Sequence, residues 1–239
     1  MKKDREHSAG SQRRLAPIVF CDFDGTITQL DVTDQILTQL AHPSWREIEQ
    51  EWVRGSIGSR ECLERQMALV ETSTPELRAL IDSVPIDPHF SAFYRFTQKR
   101  RIPLYLVSDG FDYVIRRVMK RCSLNGPFRK GKHLFSSALR VQGRRLVPSF
   151  PYSVEPCEHG CGTCKAVIIR RVMAGRRPVI FIGDGLSDRF AVRESDVVFA
   201  KHQLLAHCRE YDIACHPFET FADIQEALGK LLSPGALRR

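Results

Sequence analysis

The chain has 239 residues, of which 43% are hydrophobic and 27% charged. That is enough for one large α/β domain, or one domain with an insertion, and no apolar stretch reaches the ~20 residues of a membrane-spanning helix. Of the net charge of +8, residues 1–14 carry +3 and Arg238 and Arg239 a further +2, so the body's modest excess suits an anionic small molecule, and neither nucleic acid nor membrane is expected as a partner.

Residues 1–14, MKKDREHSAGSQRR, lack the apolar core of a secretory signal and are expected to form a disordered basic tail on a cytoplasmic protein. The eight cysteines then read as reduced thiols rather than a disulfide framework. PIVFCDFD (17–24) follows, an apolar run without clean alternation, as expected of a strand buried on both faces. Residues 33–84 contain no such run. TDQILTQLA, SWREIEQEWV, SRECLERQMALV and TPELRALIDSV read as successive amphipathic helices, with Ser44, Ser59 and Thr74 as candidate N-caps. Trp45 and Trp52 are read as packing within this helical segment. IPLYLVSDG (102–110) is a second strand and FDYVIRRVMKRC (111–122) a helix with a basic outer face. LFSSALRVQGRRLVPSF suggests a hairpin turning near Gln142 and Gly143. CKAVIIRRVMAG (164–175) is a helix closing at Gly175. RPVIFIGDG (177–185) and DVVFA (196–200) are strands, and residues 201–211 and 222–232 are helices.

Strand–helix–strand repetition predicts an α/β fold: a doubly wound, mostly parallel, Rossmann-like sheet with a helical cap inserted after the first strand. The core would span 15–32 and 85–239, and the cap 33–84.

Three strand runs end in polar residues: Asp22 and Asp24, Ser108 and Asp109, then Asp184. In an open parallel sheet ligands bind beyond the carboxyl ends of the strands, so these residues should converge, with Asp188 a turn further on. Clustered carboxylates call for a hard divalent cation held by oxygen, Mg²⁺, and thereby for phosphoryl chemistry. Asp22 is the candidate nucleophile and Asp24 the candidate general acid and base. Thr26, Ser108 and the amides of Asp109 and Gly110 are candidate phosphate contacts, with Lys165 as counter-charge. Asp22, Asp24, Asp184 and Asp188 form the candidate metal set.

These residues resemble the four motifs of the haloacid dehalogenase superfamily: Asp22-Phe-Asp24-Gly-Thr the first, Ser108-Asp-Gly the second, Lys165 the third and Gly183-Asp184-Gly185-Leu-Ser-Asp188 the fourth. The second aspartate is similar to that of the phosphatase branch, and the helical insertion to the phosphoserine phosphatase-like cap. Three further stretches, around Trp52–Gln66, Cys157–Lys165 and Phe199–Pro217, resemble 2-hydroxy-3-keto-5-methylthiopentenyl-1-phosphate phosphatases. The resemblance implies a Mg²⁺-dependent phosphomonoesterase acting on a small phosphate ester through an aspartyl-phosphate. It also implies substrate contacts from the cap, for which Arg60, Glu61, Asp31 and Asp34 are candidates. Phosphoserine, phosphocholine and pyridoxal phosphate remain alternative substrates, and a non-enzymatic binding protein on the same scaffold remains an alternative role. Cys157-x3-Cys161-x2-Cys164, with His159 nearby, has the spacing of metal ligands and suggests structural Zn²⁺; free thiols or a labile disulfide are the other readings.

Overall fold

The computed structural model describes residues 17–124, 126, 128 and 132–233; the basic tail expected at 1–14 lies outside them. The central sheet has seven strands: β1 (Ile18–Cys21), β2 (Leu104–Phe111), β3 (Leu134–Gln142), β4 (Arg145–Ser149), β5 (Val179–Gly183), β6 (Val197–Ala200) and β7 (His216–Pro217). Their order is β4-β3-β2-β1-β5-β6-β7. Every pairing is parallel except the β3–β4 hairpin. The helices are α1 (Val32–Leu40), α2 (Trp45–Val53), α3 (Ser59–Met67), α4 (Thr74–Ser83), α5 (Phe90–Lys99), α6 (Asp112–Arg121), α7 (Lys165–Met173), α8 (His202–Glu210) and α9 (Phe221–Leu231). The mostly parallel doubly wound sheet is the expected fold.

The missing alternation in the first strand has a direct cause. Val19 and Cys21 join the apolar layer on one face, with Phe93, Leu106, Phe221 and Leu228. Ile18 and Phe20 join the other, with Ile168, Ile169, Val179 and Phe181. A strand covered on both faces gains from an apolar residue at every position. Helices α1–α4 lie between β1 and β2 in the chain, and Ile36, Leu63, Met67, Leu77 and Ile81 extend the first layer without a break.

Local details depart from the sequence reading. Helix α4 is capped by Ser73, not Thr74, through a capping box with Glu76; Pro75 then occupies the first turn, where its missing N–H costs no hydrogen bond. Ser44 makes no cap bond, and the cap position of α3 belongs to Gly58. Ala174 and Gly175 both take positive φ where α7 ends, with Ala174 at the cap position. Helix α5 and strand β7 have no counterpart in the sequence reading. Strand β2, expected at 102–110, runs from Leu104 to Phe111 across a register shift between Ser108 and Phe111. Such a bulge bends the strand and re-aims its side chains, here at the sheet's carboxyl edge.

Candidate active site

β1 and β5 run side by side, pairing Cys21 with Ile182, so their ends finish level. The Asp22 amide donates to the Ile182 carbonyl at 2.8 Å, anchoring that residue where the two strands run out. Carboxylate oxygens of Asp22, Asp184 and Asp188 lie within 4.8 Å of one another. Asp22 is 5% exposed and Asp188 fully buried. Lys165, 3% exposed, enters from the first turn of α7 and places Nζ 2.9 Å from Asp22 Oδ1 and 2.6 Å from Asp188 Oδ1. It also donates to Ser187 Oγ at 3.1 Å.

One ammonium faces three carboxylates. Burial alone would strip the lysine's proton, but Asp188, Asp22 and Asp109 outweigh it and hold Lys165 above its ordinary value. Burial and then Asp22 push Asp188 upward while Lys165 opposes them. The two partners pull toward different proton assignments, and the 2.6 Å contact supports an ammonium against a carboxylate. Asp184 is also raised, first by burial and next by Asp22, with the Thr26 hydroxyl and His202 acting against this.

The site therefore carries surplus negative charge. Asp22 Oδ1, though near Nζ, accepts no well-directed hydrogen bond. A buried anionic oxygen left so needs a further cation, and an all-carboxylate donor set fits hard Mg²⁺. Asp188 has less to offer such an ion: besides Lys165, its Oδ2 accepts the amides of Asp184 and Gly185 at 3.1 and 3.3 Å. It fixes the lysine and the loop that carries Asp184.

The Asp24 side chain stands apart from the other three carboxylates. Its carboxylate is turned out of the trio: Oδ1 accepts the Val32 amide at the start of α1 at 3.0 Å, and Oδ2 faces Gly110 so closely that a Cβ there would stand 2.0 Å away. Burial, then Asp31 and Asp22, raise Asp24 well above the usual carboxylate range, against the Val32 bond. A shift in this direction favours the protonated carboxyl, the form a general acid requires. Ser108, 1% exposed, accepts the Gly110 amide at 3.0 Å. Thr26 donates to Asp184 Oδ1 at 2.9 Å, so its hydroxyl orients that carboxylate. Asp109 accepts the Thr163 amide at 2.7 Å, which ties the bulge to the segment leading into Lys165. Gly110→Ala is expected to leave a folded protein whose kcat falls by about 10²-fold, the scale of an ångström-sized misplacement, because Asp24 must yield to the added methyl. Steady-state kinetics beside a melting curve check this.

A pocket opens beside these groups, lined among others by Asp24, Ser108, Asp31, Asp34, Glu49 and Trp52. Among the described residues that line it there is no lysine or arginine. Asp31 caps α1 by accepting the Asp34 amide. Its carboxyl is pushed up, first by desolvation and then by Asp34, and its exposed side lets water soften that push. Glu49 is raised by burial, against a hydrogen bond from Gln66. Arg60 does not reach this pocket. Its guanidinium pairs with Glu155 at 2.9 Å in the open, and Glu61 pairs with Arg65. Trp45 packs in the core, whereas Trp52 lines the pocket.

Sequence reasoning missed Lys201 and His202. Lys201 is 8% exposed and directs Nζ to the Thr26 carbonyl at 3.5 Å; burial lowers it while Asp184 pulls it back. His202 places Nδ1 3.3 Å from Asp184 Oδ2. Both follow directly on β6, so the strand-end logic that found Asp184 had the signal to find them.

A family model described as Putative Phosphatase matches residues 17–225. The chain is 30% identical over 223 residues to the 2-hydroxy-3-keto-5-methylthiopentenyl-1-phosphate phosphatase of Lysinibacillus sphaericus, covering 91% of this chain and 96% of that one. It is 31% identical over 217 residues to the enzyme of the same name from Bacillus cytotoxicus, covering 90% and 96%. Among solved structures, a phosphoserine phosphatase in a phospho-aspartyl intermediate analogue state superposes with a TM-score of 0.64 at 15% identity, over 88% of this chain and 97% of that one. A hydrolase of the HAD family from Salmonella enterica serovar Typhi gives 0.66 at 16%, over 87% and 70%.

Proposed function

Because the chain belongs to the Putative Phosphatase family, we propose that its hydrolysis runs through an aspartyl-phosphate at Asp22. It is a phosphoric monoester hydrolase of the haloacid dehalogenase type, and its substrate is a phosphorylated metabolite. The observation that carries the mechanism is the meeting of Asp22, Asp184, Asp188 and Lys165 at one strand edge.

In this reading an Asp22 oxygen attacks phosphorus and the ester oxygen leaves with a proton from Asp24. Asp24, now ionised, takes a proton from the water that attacks the phospho-aspartate, and phosphate departs. Ser108 and the amides of Asp109 and Gly110 hold phosphate oxygens, and Lys165 neutralises them. Asp22 and Asp184 would hold Mg²⁺, which supplies charge stabilisation at the phosphoryl group; Thr26 and His202 orient Asp184, and Asp188 orients Lys165. Helices α1–α4 serve as the cap, and the working compartment is the cytoplasm.

The names of the relatives support 2-hydroxy-3-keto-5-methylthiopentenyl-1-phosphate as the substrate. The acidic pocket favours a second reading within the same chemistry. A pocket lined by Asp31, Asp34, Glu49 and Trp52, without a cation of its own, suits an ester with a positive head, such as phosphocholine. Among the described residues that line it, no lysine or arginine meets the carboxylate of phosphoserine or gives pyridoxal phosphate a basic partner.

Side-by-side kcat/KM values for these esters with Mg²⁺, and again after EDTA, test the proposal. Turnover should fall by orders of magnitude on metal removal and return with Mg²⁺. Full activity in EDTA would reject the metal assignment, and inertness across the panel in Mg²⁺ would reject the substrate assignments.

A further inference from the structure

The segment leading into Lys165 holds a second constellation that the phosphatase chemistry does not use. We propose that Cys157, Cys161 and Cys164 bind one zinc ion. Their sulfurs all lie within 4.8 Å of one another, and none is cross-linked. A tetrahedral ion with Zn–S bonds of about 2.3 Å spaces its sulfurs by roughly 3.8 Å, so small side-chain rotations complete the geometry. An iron–sulfur cluster would spread three thiolates over separate irons and hold them further apart.

The backbone is already folded for a thiolate. Gly160, at φ +56°, turns the chain so that its amide reaches the Cys157 carbonyl at 3.2 Å. The Cys161 amide then donates to Cys157 Sγ at 3.5 Å. Outer-shell N–H groups of this kind orient a ligating sulfur. Cys164 arrives from the cap position of α7, so the ion would tie the turn to the helix. Cys157 and Cys161 are only partly buried, which leaves a route in. The His159 ring lies flat on Phe190 with centroids 3.5 Å apart, so the protein ligands are the three sulfurs. A thiolate set disfavours Mg²⁺ and suits a thiophilic ion such as zinc.

The site would brace the joint between the helical insertion and the core. The Arg60 amide donates to the Gly160 carbonyl at 3.0 Å, and the Gly162 amide donates to Ser59 Oγ at 3.0 Å. A Cβ on Gly58 would stand 2.3 Å from the Gly160 oxygen, so α3 presses directly on the turn. On binding, thiol protons leave to solvent and three Zn–S bonds form, with no redox change.

The test is metal content and cobalt spectroscopy on the full-length chain, purified under reductant without chelator. About one zinc per chain is expected, and Co²⁺ in its place should give intense thiolate-to-cobalt charge-transfer bands. Cys157→Ser and Cys161→Ser should each lose the bands, while Asp184→Asn keeps them, so the result is independent of the Mg²⁺ site and of catalysis. Should the cysteine variants fail to fold, titration of the wild-type chain with a mercurial should release the zinc in step with thiol modification. The proposal is overturned if reduced wild-type protein binds neither Zn²⁺ nor Co²⁺ through sulfur, if zinc stays after Cys157 is replaced in a folded variant, or if the purified chain shows iron–sulfur absorbance.

Discussion

Asp22→Asn is expected to lower turnover of every phosphate ester by at least about 10⁴-fold, the scale seen when a covalent nucleophile is removed. The side chain is buried at the level end of β1 and β5, so the amide fits the same space and only the nucleophilic, charged oxygen is lost. The fold should persist, because the substitution removes one of three mutually repelling carboxylates and leaves Lys165 opposite Asp188. A melting temperature equal to or above wild type, with kcat lost, is therefore the expected pair of results. Turnover near wild type in a folded Asp22→Asn variant would reject covalent catalysis at this position.

Lys165→Met should act on both stability and rate. Nζ is the only cation within salt-bridge distance of Asp22 and Asp188 among the described residues, and all three side chains are almost wholly buried. Breaking a buried pair by removing one partner costs about 3–5 kcal/mol, because the remaining charge is left uncompensated. Lys165→Met with Asp188→Asn should recover much of that stability and none of the activity, since the phosphate would still lack its counter-charge. The pH dependence follows from the sign of the shift. The folded lysine sits above its ordinary value, so its contribution is fully present below the unfolded value and fades only as pH rises through the folded one. Denaturant midpoints of the three proteins across neutral and alkaline pH measure this; equal midpoints for wild type and Lys165→Met at neutral pH would contradict it.

The sequence showed the frame of the site because each part has a local cause. Strands buried on both faces must be apolar throughout, so Asp22, Ser108 and Asp184 stand out where apolar runs meet polar residues. Lys165 was legible because it opens a helix after a glycine-rich turn. What remained hidden depends on contacts between distant segments. The Asp24 side chain lies apart from the carboxylate trio because the Val32 amide, eight residues on, binds it and the absence of a side chain at Gly110 leaves it room. Arg60 has a site-like place in the chain, yet Glu155 holds it outside. Glu49, Gln66 and Trp52 look like an ordinary solvated helix face until α2 and α3 fold over the strand ends. Helix α5 carries an apolar stripe, with Phe90 and Phe93 packed on Phe221, and that period was legible but passed over. Lys201 and His202 stand directly after β6, as Asp184 stands directly after β5, so they were legible by the same rule and passed over.

The most direct measurement is the identity of the residue that carries the phosphoryl group. Enzyme mixed with Mg²⁺ and a slow phosphate ester, quenched and reduced with borohydride, converts any acyl phosphate to an alcohol that peptide mass spectrometry can place. Covalent catalysis as described here predicts reduction at Asp22 alone, and none in Asp22→Asn. Reduction at another carboxylate, or an unreduced Asp22 under conditions where turnover proceeds, would contradict it.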